Sequence, residues 1–402
     1  MRILVLSNLY PPYSLGGYEI ACAEVVEALR QRGYDVTVLT SSRGLCRPQA
    51  QSSVRRLLKM RFAFDPPYRN AAMQFVWLVW NLLVVRITVR RLKPDLVYVF
   101  NPACIGAFVL NWLHAQSVPV VHDIFDTWLT DAAATSISPG LSLYKPGSLL
   151  GHIAKAALLK TGSVVLAPKP INLDCSYFRS EYLKRQFADA GLDVQDVPVI
   201  YFGLRRSHVR RWAQSDVSAG IVFSGRLSPE KGAHVLLAAL PRLTDSVGRQ
   251  YRRLTIIGPV TDQGYWQQLQ DLAAKGGAYL SIHFTGQLPR TDAVALMREH
   301  SVFVFPVLWE EPFGIVLIEA LDAGLAVIAT RSGGAAEILV DGENSIIIGK
   351  NDPQAVADAL ERLAKDDALR RRIVDGGRET AKRFDFKQGI DRLEEYLQSI
   401  CN

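Results

Sequence analysis

The chain has 402 residues, 49% hydrophobic and 21% charged, a balance that excludes a disordered chain and allows two or three packed domains. Its net charge of +7 is one-sided: residues 1–200 hold 21 Lys+Arg against 14 Asp+Glu, and residues 201–402 hold 25 of each. Five cysteines without a C-x-x-C pair exclude a disulfide frame and a cysteine zinc site, and read as free thiols in a reducing compartment.

The opening "MRILVLSNLYPP" has too short an apolar core for a signal peptide and reads as a first β-strand. Further strand candidates in the first half are "DVTVLTS", "LVYVFNP", "VPVVHDI" and "SVVLAP". Those in the second half are "GIVFSGR", "LTIIGP", "LSIHFTG", "VFVFPV", "AVIAT" and "SIIIG". Most are apolar throughout rather than alternating, as parallel strands buried on both faces require. Helical stretches such as "GYEIACAEVVEALRQRG" and "DPQAVADALERLAK" separate them, so βαβ alternation occurs twice over. The polar run "RRSHVRRWAQSDVSAG" places the boundary near residue 200. The expected domains are residues 1–200, joined by a C-terminal helix at 386–402 that packs back, and residues 201–385. Doubly wound sheets bind ligands at their carboxyl ends. The longest greasy stretch, Ala71 to Val85, is interrupted by Gln74 and Asn81 and is too short to span a bilayer comfortably. A cytoplasmic protein is expected.

Four segments carry candidate chemistry. In "PPYSLGGYEIA", Gly16 and Gly17 stand between the first strand and the first helix, where missing side chains let backbone approach a ligand. The dinucleotide fingerprint is absent, and a plain tight turn explains the pair equally well. In "VVHDIFD", His122 ends an apolar strand. It can move a proton or donate a hydrogen bond, or be an ordinary strand-end histidine. In "FSGRLSPEKG", Arg226 and Lys231 follow a strand. A guanidinium fork and an ammonium point charge can neutralise a diphosphate without a metal; a solvated loop is the alternative.

The fourth segment is "WEEPFGIVLIEALDAG". Pro312 fits the first turn of a helix, so Phe313, Gly314, Ile315 and Val316 carry the free N–H groups of a helix start, a ready anion site. Glu319 follows about two turns in, on an apolar helix. A buried carboxylate needs partners, which a ligand's hydroxyl groups or a nearby lysine supply. The remaining histidines have no metal-like spacing, and H-E-x-x-H, G-x-S-x-G and P-loop motifs are absent, so metalloprotease, serine hydrolase and P-loop kinase chemistry has no support.

Taken in this order, the segments resemble the retaining glycosyltransferases of family 4, or group 1. The resemblance covers nearly the whole chain. Its strongest part is E-x7-E, Glu311 to Glu319, within "EPFGIVLIEALDAGLAVIATRSGGAAEILVDGENSIII". It implies the α/β fold called GT-B: two Rossmann-like doubly wound parallel-sheet domains facing across a cleft. It implies transfer of a sugar from a nucleotide diphosphate sugar with retention, without a metal and without a cofactor beyond that donor. By resemblance Arg226 and Lys231 hold the diphosphate, and Glu319 the ribose hydroxyls. Glu311 touches the donor sugar, and the backbone of Phe313, Gly314, Ile315 and Val316 contacts sugar and phosphate. Gly17, beside Gly16, approaches the phosphate, His122 lies by sugar and acceptor, and Gln287 and Leu288 of "TGQLP" lie by the base. The chain departs from the family pattern at "YFGLRRS", at "PVLWE" and from Ser41 to Leu92.

A sugar-nucleotide epimerase of the same fold, which transfers to no acceptor, is the main alternative. A non-catalytic carbohydrate-binding protein is another. No nucleic-acid partner is expected. The basic first half is expected to meet an acidic or lipid-linked acceptor, with peripheral membrane contact through residues 53–92. There, basic residues interleave with apolar ones, and Trp77 and Trp80 sit on a helix apolar nearly all round.

Overall fold

The computed structural model describes residues 1–13, 17–42, 53–60, 71–101, 105, 107–127, 172–205, 220–276 and 279–401. The chain divides into two compact units, Met1–Ile200 with Ile390–Asn402, and Tyr201–Gly389. Each unit is built on one six-stranded sheet.

The first sheet contains β1 (Arg2–Ser7), β2 (Asp35–Ser41), β3 (Val54–Leu58), β4 (Leu96–Asn101), β5 (Val120–Ile124) and β6 (Tyr177–Phe178). Their order is β3-β2-β1-β4-β5-β6. The second contains β7 (Ile221–Ser224), β8 (Arg253–Ile257), β9 (Ser281–Gly286), β10 (Val302–Phe305), β11 (Ala326–Thr330) and β12 (Ser345–Ile348). Their order is β12-β11-β10-β7-β8-β9. The pairings are parallel throughout. Counted within its own unit, each sheet runs 3-2-1-4-5-6, the Rossmann order. The progress of the chain reverses between β1 and β4 in one sheet and between β7 and β10 in the other.

Burial explains the apolar runs. β5, β10 and β11 are buried along their whole length, and β1 at all but Arg2. Helices cover both faces, as parallel sheets require. Several start on a side-chain cap: Asp262 accepts from the Tyr265 N–H at 2.6 Å, Asp352 from Ala355 at 2.9 Å and Asp366 from Leu369 at 2.9 Å. The strand expected at "SVVLAP" lies outside the described residues.

Two strands were not legible in the sequence. β6 is only two residues long. β3, "VRRLL", carries adjacent arginines and lies at a sheet edge. The Arg56 guanidinium donates to the Tyr10 carbonyl at 3.0 Å and also to that of Pro11, so this charge is used internally. Beyond β3 the carboxamide of Asn81 bonds both backbone groups of Lys59, at 2.8 and 2.7 Å. Asn81 lies on the helix Ala71–Leu92, whose buried side includes Asn81, Val85 and Thr88. Val76, Val79, Trp80, Leu83 and Ile87 are exposed on it by 38–56%. Among the described residues no helix is long and apolar enough to cross a membrane.

The helix Phe386–Cys401 runs from one unit into the other. Within the first unit Arg32 forms ion pairs with Asp391 and Glu394, Tyr34 donates to Glu394 at 2.8 Å, and Tyr396 donates to the Ser176 carbonyl at 2.8 Å.

The first unit also buries a charge pair. Asp123 in β5 is wholly buried, and Arg179, just past β6, is 3% exposed. The guanidinium meets the carboxylate with both Nε, at 2.6 Å, and Nη2. Tyr177 donates to the same carboxylate at 2.6 Å, and Tyr98 hydrogen-bonds Tyr177. Fork geometry and extra donors are what make a buried ion pair tolerable. Removing one partner should therefore be costly: Arg179→Met is expected to lower unfolding free energy by about 3–5 kcal/mol. Asp123→Asn added to it should recover part of that loss. Urea unfolding of both variants checks this, and a single variant as stable as the parent contradicts the account.

Candidate functional site

The loops that follow β7, β8, β10 and β11 meet at the carboxyl edge of the second sheet, held by backbone contacts that only glycine permits. A Cβ on Gly258 would lie 1.9 Å from the Gly225 carbonyl oxygen, and one on Gly232 would lie 2.0 Å from that of Pro306. Cβ atoms on Gly333 and Gly334 would lie 2.3 and 2.2 Å from the carbonyl oxygens of Glu311 and Pro312. Gly232 also has φ +75°, in the left-handed region that side chains resist. These contacts bring "GRLSPEKG" after β7 against "PVLWEEPFG" after β10, at the switch point of the sheet.

Ser228, Pro229 and Gly232 shape the first of these loops. Ser228 is the N-cap of a short 3₁₀ turn, Pro229–Lys231, and Gly232 ends it. Lys231 is thereby aimed at the β10 loop: its Nζ donates to Glu311 Oε2 at 2.7 Å, with 12% and 13% of the two side chains exposed. The Trp309 indole N–H donates to the same oxygen at 2.9 Å, and its ring lies 4.6 Å from Lys231 Nζ. Arg226 sits differently. Its side chain is 47% exposed, with Glu230 at 3.8 Å. Glu310 ion-pairs with Lys350 and accepts from the Gly333 N–H at 2.6 Å. The Lys350 contact holds its carboxyl below the usual range.

The helix expected from Pro312 starts later. It spans Ile315–Ala323, with Gly314 at φ +82° as its N-cap. Pro312 belongs to the loop before it, because the left-handed turn at Gly314, not a proline in the first turn, redirects the chain. Ile315 and Val316 thus form the first turn, with N–H groups that lack intrahelical acceptors. Phe313 turns its ring inward: it is 2% exposed, with ring centroids 6.0 Å from Tyr201 and 5.9 Å from Phe384.

Glu319 is one turn past Ile315, not two, and is 7% exposed. Arg290 Nε donates to its Oε1 at 2.5 Å. The protein therefore supplies a cationic partner itself, an arginine rather than a lysine. Arg290 opens the helix Arg290–Met297, directly after Gln287, Leu288 and Pro289. Gln287 is exposed and Leu288 half-buried. The pair thus ties the "TGQLP" turn to the helix that carries Glu319.

Two sequence candidates described by the structure belong to the first unit. Gly17 opens the helix Gly17–Gln31 and has open space where a Cβ would stand; Gly16 lies outside the described residues. Tyr18, the next residue, donates to the Asp123 carbonyl at 2.6 Å and accepts from the Phe125 N–H at 3.3 Å. The helix start is thus fastened to the end of β5. His122 is the third of five residues in β5 rather than its end, and is wholly buried. Its Nε2 lies 3.0 Å from His114 Nε2, so one ring donates and the other accepts. Burial, with the neighbouring imidazole, pushes the His122 pKa well down, and burial alone takes His114 to about 4. At neutral pH this pair can pass hydrogen bonds but brings no charge.

Sequence reasoning singled out neither Trp309 nor Arg290. Trp309 stood inside the quoted motif, yet nothing local shows that its ring covers a lysine 78 positions earlier. Among the described residues no group of three His, Cys, Asp or Glu is placed to hold a metal ion.

Comparison with known proteins adds to this geometry. The family model "Glycosyl transferases group 1" matches residues 208–380, and "Glycosyl transferase 4-like domain" matches residues 16–149. A phosphatidyl-myo-inositol mannosyltransferase of Mycobacterium leprae is 37% identical over 97% of this chain and 96% of its own length. Among solved structures, sucrose-phosphate synthase of Thermosynechococcus elongatus superposes with a TM-score of 0.70 at 19% identity, covering 99% of this chain and 98% of that one. HepE of Anabaena, solved with UDP and glucose, superposes with a TM-score of 0.68 at 19% identity, covering 99% of each chain. With two Rossmann-ordered sheets, the motif loops gathered at a switch point and a relative matched end to end, the chain belongs to the group 1 glycosyltransferases of GT-B fold.

Proposed function

We propose that the protein transfers a sugar from a nucleotide diphosphate sugar to an acceptor hydroxyl, with retention and without a metal. The observation that carries this reading is the Lys231–Glu311 pair at the switch point of the second sheet. One charge is suited to the departing diphosphate and the other to the hydroxyl groups of the sugar. HepE of Anabaena has also been solved with UDP-glucose, which supports a nucleotide-linked sugar as donor.

In the proposed step the acceptor oxygen bonds to the anomeric carbon on the face from which the phosphate leaves. The bond from that carbon to the phosphate oxygen breaks, and the acceptor proton passes to the leaving oxygen. The products are a glycoside and a nucleoside diphosphate. Arg226 and Lys231 stabilise the charge that develops on the diphosphate. Glu319, oriented by Arg290, accepts hydrogen bonds from the ribose. The N–H groups of Ile315 and Val316 face the phosphate and sugar, and Gln287 and Leu288 lie beside the base. Gly17 offers backbone to the phosphate, and His122 is a neutral hydrogen-bonding group near the acceptor.

Arg226→Ala and Lys231→Ala are each expected to cut turnover by at least about tenfold, since each removes a charged partner worth roughly 1.5–3 kcal/mol. Glu319→Gln should weaken nucleoside diphosphate affinity more than it slows the bound complex. Assays over a panel of nucleotide sugars, with and without acceptor, read both effects. Near-normal activity in the Arg226/Lys231 double variant would refute the donor site. Conversion of the sugar without any acceptor would make the protein an epimerase.

The acceptor is proposed to be lipid-linked and presented at the cytoplasmic face of a membrane. The support is the exposed stripe of Val76, Val79, Trp80, Leu83 and Ile87 beside exposed Lys59, Arg90, Arg91 and Lys93. An apolar face edged by basic residues suits an anionic interface. Its Mycobacterium leprae relative is likewise named for a phosphatidyl acceptor. Co-sedimentation should show binding to anionic but not neutral vesicles, weakened by salt and by Lys59/Arg90/Arg91→Ser, at roughly 1 kcal/mol per basic residue. Absence of binding at low salt would assign the charge to a soluble acidic acceptor instead.

A further inference from the structure

We infer that Trp309 is a positioning residue for the donor, one that fixes Lys231 and Glu311 independently of each other. The inference rests on the donor-site reading above. It is drawn from a three-way contact: Lys231 Nζ to Glu311 Oε2 at 2.7 Å, the Trp309 N–H to that same oxygen at 2.9 Å, and the indole ring 4.6 Å from Nζ.

The reasoning follows from competition. In the free protein the ammonium and the carboxylate hold each other. An arriving diphosphate is a stronger anion than one carboxylate and draws the ammonium toward itself. If the ion pair were the sole restraint, that draw would release Glu311, whose side chain would regain its rotamers. The indole removes this dependence. Its N–H keeps Oε2 in place after Lys231 turns away, and its face holds the ammonium by a cation–π contact that needs no carboxylate. The two functions sit on different parts of one rigid ring, so substitution can separate them. Phenylalanine keeps a face and loses the N–H. Leucine loses both.

Trp309 is also placed to do this reliably. It follows Leu308, whose N–H donates to the Glu230 carbonyl at 2.9 Å, next to Lys231. The β10 loop is therefore pinned to the β7 loop one residue before the indole. Gly334 pins it again two residues later, donating to the Glu311 carbonyl at 2.7 Å.

The test measures binding of two probes to the full-length protein: a nucleoside diphosphate without sugar (UDP, GDP or ADP, whichever binds) and the matching nucleotide sugar. The first reads the Lys231 arm, and the difference between them reads the Glu311 arm. Trp309→Phe is expected to bind the diphosphate within about threefold of the parent and the nucleotide sugar at least about tenfold more weakly, as loss of a hydrogen bond to a charged group implies. Trp309→Leu is expected to lose affinity for both. General loosening of the loop would weaken both probes equally in both variants, so an unsplit loss in Trp309→Phe overturns the inference. So does parental binding by Trp309→Leu. Lys231→Ala run alongside separates the two levels: if it loses diphosphate affinity while Trp309→Leu does not, the donor site stands and the role of Trp309 falls. If neither variant changes affinity, both fall together.

Discussion

The candidate site depends on two strands that are neighbours in space and far apart in sequence. β7 and β10 lie side by side in the second sheet, although β8 and β9 intervene along the chain. Their connections leave on opposite sides, and a crevice opens where they part. The loops that line it approach so closely that Gly232 stands where a Cβ would meet the Pro306 carbonyl oxygen. The central ion pair of the site is placed by that approach. Lys231 reaches Glu311 because Gly232 lets the loop close, and Glu311 holds its place because Gly333 and Gly334 let the β11 loop pack behind it. The glycines in "GRLSPEKG" and "RSGGAAE" are therefore part of the electrostatics, although they carry no charge.

The first unit uses the same strand order to a different end. Its switch point, between β1 and β4, has no pair of charged loops comparable to Lys231 and Glu311 among the described residues. Its charges are inside instead. Asp123 and Arg179 are buried with Tyr98 and Tyr177, and the strand that carries Asp123 also carries His122. Tyr18 ties the start of the first helix to the backbone just beyond. A fork-on-carboxylate contact tolerates little change in angle, so this cluster fixes the β5–β6 edge and, through Tyr18, the turn at Gly17. Exposed basic residues of this unit include Lys59, Arg90, Arg91 and Lys93, on or next to the helix Ala71–Leu92.

How much of this was legible follows from where each determinant lies in the chain. Strands buried on both faces announce themselves, because every residue must be apolar; β1, β4, β10 and β11 were readable for that reason. β3 was not, because an edge strand with arginines on it looks like a solvated loop until Arg56 is seen bonding the Tyr10 carbonyl. The helix start after Pro312 was misplaced because proline at a first turn and glycine at an N-cap are both good local signals, and only the positive φ of Gly314 decides between them. His122 was placed at a strand end because "HDIF" dilutes the apolar run, yet within the core His114 meets its Nε2 and the Ser176 hydroxyl accepts from its backbone N–H. Partner identities were the least legible. That Glu319 needed a partner could be argued from burial; that the partner is Arg290 is a tertiary fact with no local trace.

The local charge balance of the second unit bears on how a donor would enter. Residues 201–389 hold 24 basic and 22 acidic side chains, a near balance that at first sight suits an anionic ligand poorly. The balance is local as well as global: Lys231 faces Glu311, Arg290 faces Glu319, and Lys350 faces Glu310. A diphosphate therefore gains less from a standing positive field than from exchanging partners. Such exchange favours a ligand that brings both an anion for the lysine and hydroxyl groups for the carboxylates, since each displaced charge must find a new partner in a poorly solvated place. A free phosphate satisfies only half of that demand, whereas a nucleotide sugar satisfies both halves. Arg226 stands apart. Half exposed and 3.8 Å from Glu230, it can turn to a phosphate at little cost, because its present contact is a surface pair of small worth. On the proposed donor site, selectivity would reside in the Lys231–Glu311 and Arg290–Glu319 pairs, and Arg226 would supply the attraction that they withhold.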